Sequence, residues 1–336
     1  MTPLEELATF PRAAAEARPI RIVAAGGGTG LPRVLAGLAP GVEPEDGRPV
    51  HVTAVVTTAD DGGSSGELRR AYGTPAPGDV RNCLVSLAAG PSPLAALFQH
   101  RFAGGALAGH TVGNVLLTAL AQRLGDFGRA VAAAGELLGA RGRVLPGAAE
   151  PVELVAQLED GRVVRGECAI ARAGGRVREV RLARAVDAPA EAIEAVLAAD
   201  LVVLGPGSLY SSILASLLGR GMADALRATA ATRVLVVNLF TQPGETDGYR
   251  ASDHVRAVTR HLGDVVDVAL VQRAPVPAAL AARQAELGAE PVALDRAGVE
   301  ALGVVPRVAD LLGPGELPRH DPHQVARALL AIARAR

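Results

Sequence analysis

Short apolar runs alternate along this chain with stretches in which apolar residues return every three or four positions. Ile20–Ala25 (IRIVAA) is apolar at almost every position, as a strand buried on both faces requires. A glycine-rich turn follows, then the helical pattern LPRVLAGL. VHVTAVVTT, ending at Thr58, is a second strand. Helical periodicity marks Val80–Ala89, Leu94–Phe102, Val112–Leu124 and Phe127–Leu138. Further on, EAIEAVLAA, SSILASLL, MADALRATA, DHVRAVTRHLG and PAALAARQAEL read as helices. LVVLG from Leu201, VLVVNL, VDVALV and PVAL read as strands. A last helix opens at Asp321-Pro322, an N-cap residue followed by proline in the first turn. Strands alternating with helices predict an α/β fold with a doubly wound, mostly parallel sheet.

Two stretches break the alternation. ADDGGSSGELRRAYGTPAPGD, after the second strand, is polar, glycine-rich and too long for an ordinary connection, so it reads as a functional loop. Residues 144–186 carry short alternating runs around Asp160-Gly161, a hairpin-turn dipeptide, and predict a small antiparallel β insertion. Residues 19–330 are expected to form one domain, with residues 1–18 a flexible leader or short helix.

Composition narrows the function classes. About half of the residues, 49%, are hydrophobic, enough for a large core, yet no run approaches the ~20 residues of a spanning helix. The N-terminus lacks a secretory pattern, so a cytoplasmic location is expected. A formal net charge of −1 and an aromatic content of 2% argue against nucleic-acid and membrane-surface binding. Every basic residue is arginine. The absence of lysine excludes a P-loop lysine and a Schiff-base lysine. Cys83 and Cys168 suit a reducing compartment and form no zinc or disulfide framework.

Six polar loops follow strands or open helices, where a doubly wound sheet gathers its ligand site. Gly26-Gly27-Gly28-Thr29-Gly30 joins the first strand to a helix, so its backbone could approach an anion at the helix N-terminus. Leu31 breaks the dinucleotide pattern, and a tight turn without a ligand is the alternative. Asp60, Asp61, Gly62, Gly63, Ser64 and Ser65 lie beyond the second strand. Their carboxylates could hold Mg²⁺, bind a sugar hydroxyl or act as a base, with Asp61 the candidate metal ligand. Asp79, Arg81 and Asn82 open a helix, where Arg81 could clamp a phosphate or simply pair at the surface. His110 and Asn114 open another helix and offer an acid, a base or donors. Gly207, Ser208, Leu209 and Tyr210 repeat the strand–glycine–helix arrangement. Asn238, Thr246 and Asp247 belong to the last loop. The loops from Gly26 to Gly30 and from Gly205 to Ser208 read as two opposed phosphate cradles.

Taken together, GGGTG, ADDGGSSGELRRAYGTPAPGDVRN, GHTVGN, GPGSLYSS and TQPGETDGYRASDHV resemble the bacterial gluconeogenesis factor family, within the superfamily of 2-phospho-L-lactate transferase. The likeness covers nearly the whole chain after about Pro19. It implies a Rossmann-like fold that binds UDP-sugars, notably UDP-N-acetylglucosamine, with no required cofactor. It implies a regulatory role connecting carbon source to cell-wall precursor synthesis and cell shape, and as a partner the aminotransferase that makes glucosamine 6-phosphate. A homo-oligomer is compatible with it. The family's C-terminal Arg-His pair, implicated in UDP-sugar binding, matches Arg319-His320. Gln284 stands where the family often has tyrosine, and Pro322 occupies the place of a phospho-acceptor threonine. The transferase branch implies an alternative: an Mg²⁺-dependent enzyme acting on a nucleotide diphosphate-linked donor. NAD could occupy the same crevice, although the incomplete fingerprint disfavours an oxidoreductase.

Overall fold

The computed structural model describes residues 18–38, 47–90 and 92–335, so the expected leader lies outside the described residues except for Arg18. The strands are β1 (Ile20–Gly26), β2 (Val50–Val56), β3 (Arg143–Pro146), β4 (Leu154–Leu158), β5 (Val163–Arg165), β6 (Val177–Leu182), β7 (Leu201–Leu204), β8 (Thr232–Val236), β9 (Val268–Gln272) and β10 (Val305–Ala309). Seven of them form one parallel sheet in the order β10-β9-β8-β7-β1-β2-β3. The chain winds outward from β1 through β2 to β3, then returns to β7 on the other side of β1 and winds the opposite way. The reversal places the topological switch point between β1 and β7, and the loops that follow these two strands leave into one crevice.

The helices are α1 (Gly30–Leu38), α2 (Gly63–Tyr72), α3 (Gly78–Ser86), α4 (Pro93–Gln99), α5 (Val112–Leu124), α6 (Phe127–Leu138), α7 (Glu167–Arg172), α8 (Ala190–Leu197), α9 (Met222–Ala228), α10 (Ala251–Leu262), α11 (Ala278–Ala285), α12 (Arg296–Glu300) and α13 (Pro322–Arg334). They cover both faces of the sheet. The pleat of β1 divides the core accordingly, with Ile22 and Ala24 joining the cluster under α1 and α13, and Val23 and Ala25 joining the other. Helix starts carry side-chain caps at Ser92, Thr111, Asp126 and Asp321. The Asp321-Pro322 start therefore forms as its sequence predicts.

The structure departs from the sequence pattern in five places. The polar segment after β2 contains α2, which buries Ser64, Ser65, Gly66 and Leu68 instead of an apolar stripe. Its glycines read as breakers, but a Cβ on Gly66 would lie 1.9 Å from the Asp61 carbonyl, so close packing demands the glycine there. Arg143–Pro146 joins the main sheet as its edge, and the antiparallel sheet β5-β4-β6 begins only at Leu154. PVAL makes a single bridge, Pro291 to Phe240. The missed edge strand β10 contains Pro306, which an edge tolerates. Finally, the SSILASLL segment forms a wide π turn over Leu209–Leu214 and then a 3₁₀ turn.

Candidate functional site

The two glycine turns meet at the switch point. A Cβ on Gly30 would lie 2.3 Å from the Pro206 carbonyl oxygen, and one on Gly27 would lie 2.5 Å from Asp79 Oδ2. The glycines thus let the two turns approach backbone to backbone at Gly30 and let the Asp79 side chain pack against Gly27. The Gly28 amide donates to Asp79 Oδ2 at 2.8 Å, so one donor of the first turn is already engaged. Burial raises the Asp79 carboxyl to about 6, against the pull of the Gly28 amide, with nearby Asp60 raising it further. On the second turn, Asn238 clamps Gly207: its Nδ2 donates to the Gly207 carbonyl at 2.9 Å, and Gly207 N donates back at 3.3 Å.

Between these turns opens a cleft of about 680 Å³. Gly28, Thr29, Gly30, Gly207, Ser208 and Asn238 line it, as does Arg319. It also gathers residues that the sequence did not single out: Arg33, Glu167, Ser211, Ser212 and Glu245. Among the described residues, neither Arg33 nor Arg319 has a carboxylate partner. Burial lowers the Arg33 pKa, and the Arg319 charge adds to the effect. His320, 8% exposed, lines the same wall. Burial depresses it to about 4, opposed by a hydrogen bond to the Val237 backbone, and its Nε2 has no partner. Two guanidiniums without a carboxylate partner thus stand beside a helix N-terminus at this end of the cleft, a combination that favours an anion.

Glu167, which lines the cleft, belongs to an acidic group. Asp60, Asp61 and Glu167 bring one oxygen each to within 4.8 Å of one another. Loop geometry fixes the two aspartates, since Asp60 Oδ1 accepts from Gly62 N at 2.8 Å and Asp61 Oδ1 from Cys168 N at 2.9 Å. Both acids of the pair therefore bring an oxygen to the same place. Burial raises the Glu167 carboxyl to about 8, followed by the charges of Asp60 and Asp79. An all-oxygen set of this kind suits Mg²⁺. Behind it, Ser211 Oγ donates to Ser208 Oγ at 2.8 Å, and Ser208 Oγ to Glu245 Oε2 at 2.6 Å. Burial raises the Glu245 pKa as well. Glu167 lies more than a hundred residues from Asp60 and in the insertion, and no local pattern announces it. Arg33 was legible in principle, because it lies in the first turn of the helix that opens at Gly30.

The remaining predicted residues do not line this cleft. Arg81, Asn82, His110, Asn114 and Ser64 bond chiefly to one another. Arg81 donates to Asn114 Oδ1 at 2.8 Å, to Asn82 Oδ1 at 2.7 Å and to Thr111. Asn114 Nδ2 donates to Ser64 Oγ at 3.0 Å, and Ser64 Oγ lies 3.0 Å from His110 Nδ1. The network ties α2, α3 and α5 together beside the carboxylates. Ser65 is buried, whereas Gly63 is exposed at the α2 N-terminus. Leu209 and Tyr210 are fully buried, and the Tyr210 hydroxyl shares a 2.7 Å hydrogen bond with that of Tyr249. Thr246 Oγ1 accepts from Gln242 N and Asp247 Oδ2 from Gly244 N, each at 2.8 Å, so both shape their loop.

The model of one protein family, described as 2-phospho-L-lactate transferase CofD, matches residues 22–312. This chain belongs to that family. The match takes in both glycine turns and all three carboxylates, while Arg319 and His320 lie beyond it. The chain is 42% identical over 314 residues to a gluconeogenesis factor from Halalkalibacterium halodurans, covering 92% of this chain and 95% of that one. It is 41% identical over 316 residues to the gluconeogenesis factor of Bacillus subtilis, covering 93% and 98%. A crystal structure of a UPF0052-family protein from Bacillus halodurans superposes with a TM-score of 0.89 at 41% identity, covering 94% of this chain and all of that one. The family fold is the expected α/β sheet with its small antiparallel addition, and its gluconeogenesis factor members are the relatives that the motifs indicated. Among the described residues, no helix is long and apolar enough to cross a membrane.

Proposed function

We propose that this family member binds a UDP-sugar, UDP-N-acetylglucosamine, in the cleft between the two glycine turns, and acts as a regulator joining carbon metabolism to cell-wall precursor synthesis. One observation carries the reading: Arg33 and Arg319 face the cleft without counter-ions, next to the Thr29 and Gly30 end of the first turn. The diphosphate neutralises these guanidiniums, and the sugar extends toward Ser208 and Asn238. The regulated enzyme, in this reading, is the aminotransferase that makes glucosamine 6-phosphate.

Isothermal titration with UDP-N-acetylglucosamine, GDP and NAD, with and without Mg²⁺, tests the assignment. Saturable one-to-one binding of the UDP-sugar is expected, weakened at least tenfold by Arg33→Ala or Arg319→Ala with an unchanged melting temperature. No heat at millimolar UDP-sugar would overturn it. The carboxylate trio favours a second reading, an Mg²⁺-dependent transferase acting on a nucleotide diphosphate-linked donor. Asp60, Asp61 and Glu167 would hold the ion, which would stabilise charge on the phosphoryl oxygens. Incubation with an activated lactyl phosphate donor and a deazaflavin acceptor decides it, and absence of a phospholactyl product by mass spectrometry removes the option.

A further inference from the structure

A groove of about 770 Å³ runs between α13 and the sheet edge at β9 and β10. The sheet contributes Val268, Leu270 and Val308, and the helix contributes Ala328, Ala331 and Ile332. Along α13 the lining positions are 324, 327, 328, 331, 332 and 335, the spacing of one continuous helical face. That face extends for ~16 Å at ~1.5 Å per residue, about three turns. The helix spends its other apolar face, Val325, Ala326, Leu329 and Leu330, on the core beneath it. On the groove side Ala328 and Ile332 rest partly on that core, while Ala331 is exposed along the groove. Val305, at the start of β10, remains 49% exposed beside the groove.

The rim carries an excess of positive charge. Arg273, Arg307 and Arg327 line it against a single carboxylate, Asp310, which pairs with Arg273 at 3.4 Å. Arg307 makes no ion pair among the described residues. This local positive excess stands out on a chain of net charge −1. An occupant must therefore be apolar along one side for about three turns and negative along its flanks. A second copy of this groove would set the same arginines against each other. We propose that the groove is a docking site for an amphipathic helix of a partner protein that carries glutamate or aspartate along its polar flanks, a helix-in-groove mode of recognition.

The test uses the full chain and two fluorescent 14-residue helical peptides, with leucines on one face and either glutamates or lysines on the other. Anisotropy should show saturable binding of the glutamate peptide, at least tenfold tighter than the lysine peptide and weaker at high salt. Ala331→Arg, at an exposed position, should abolish binding by filling the groove. Arg307→Glu, also exposed, should weaken the glutamate peptide and strengthen the lysine peptide. UDP-N-acetylglucosamine titrations on the same variants should be unchanged, which separates failure here from failure of the nucleotide reading. No binding of the glutamate peptide, or equal binding by the Ala331→Arg variant, overturns the proposal. A dimer in sedimentation that Ala331→Arg converts to monomer makes a second copy the occupant and overturns it too. Peptide binding that appears only after residues 1–17 are removed does the same, in favour of the chain's own N-terminal segment.

Discussion

Gly28 illustrates how much of this site is settled atom by atom. Its amide is engaged by Asp79, so an incoming phosphate meets an occupied donor and a buried carboxylate on that side. Arg33 and Arg319 do not have this conflict, so in the proposed reading they set where the diphosphate rests. His320 adds a pH signature. Its folded pKa of about 4 lies below the unfolded value, so the unfolded chain takes up a proton that the native chain refuses. Its contribution to stability is intact above about pH 6.5 and is lost as pH falls toward 4. Buried His254 and His261 are depressed too and act in the same direction. Denaturant titrations across this window should show a shallower acid limb in His320→Gln, by up to about 1.4 kcal/mol per pH unit. An unchanged slope would mean that His320 is not held neutral.

Glu167 has the opposite sign. Its folded pKa of about 8 lies above the unfolded value, so its contribution is present below the ordinary glutamate range and lost as pH rises through 8. Glu167→Gln removes the ionised carboxylate from beside Asp60. The variant should therefore gain stability over the parent at pH 9, by on the order of 2 kcal/mol, and much less at pH 5. Melts in EDTA at the two pH values measure it, and equal offsets at both would exclude repulsion as the cause.

Among the elements, α1 and α13 show why a glycine can be worth more than a helix former. Gly37 lies inside α1, where alanine would ordinarily be favoured by ~1 kcal/mol. A Cβ there would stand 2.0 Å from the Pro322 carbonyl oxygen, a contact with backbone that cannot swing away. The clash outweighs the propensity, so Gly37→Ala should destabilise by about 1–3 kcal/mol in a denaturant melt. A stabilised variant would show that the two helices do not cross this closely. Asp321→Ala should cost about 1 kcal/mol, because the Asp321 carboxylate accepts from His323 N and Gln324 N, both at 2.9 Å. The same helix N-terminus adjoins Arg319 and His320, so its cap also steadies one wall of the cleft.

At the scale of the whole molecule, the winding of the sheet gathers the site. The winding reverses across β1 and β7, and most of the segments that line the cleft leave a strand end or a helix start. The insertion then adds Glu167 from outside the sheet. A ligand seated between walls drawn from such distant segments should couple to global unfolding. UDP-N-acetylglucosamine at 100 times its dissociation constant should raise the unfolding free energy by about 2.7 kcal/mol. Thermal melts over a ligand series check this, and a midpoint independent of ligand concentration would rule out binding to the native state.

Periodicity alone determines most of this architecture. Val112–Leu124 and Phe127–Leu138 fold as the helices that their spacing predicts, and β1 is buried on both faces as its uninterrupted apolar run requires. The two glycine turns were legible for a related reason, since a positive φ and backbone-to-backbone approach admit little else. Local pattern could not reach the rest. Helix α2 is held by a small polar face against its neighbours, which leaves no apolar period to read. Arg81 and Tyr210 look like ligand donors in their motifs, but their partners, Asn114 and Tyr249, become neighbours only on folding. The carboxylate trio joins residues separated by β3, β4 and β5, and Arg33 meets Arg319 across nearly the whole chain. Strands and helices follow from neighbours within a few positions, whereas charge balance and hydrogen-bond pairing in the cleft depend on which distant segments the sheet order brings together.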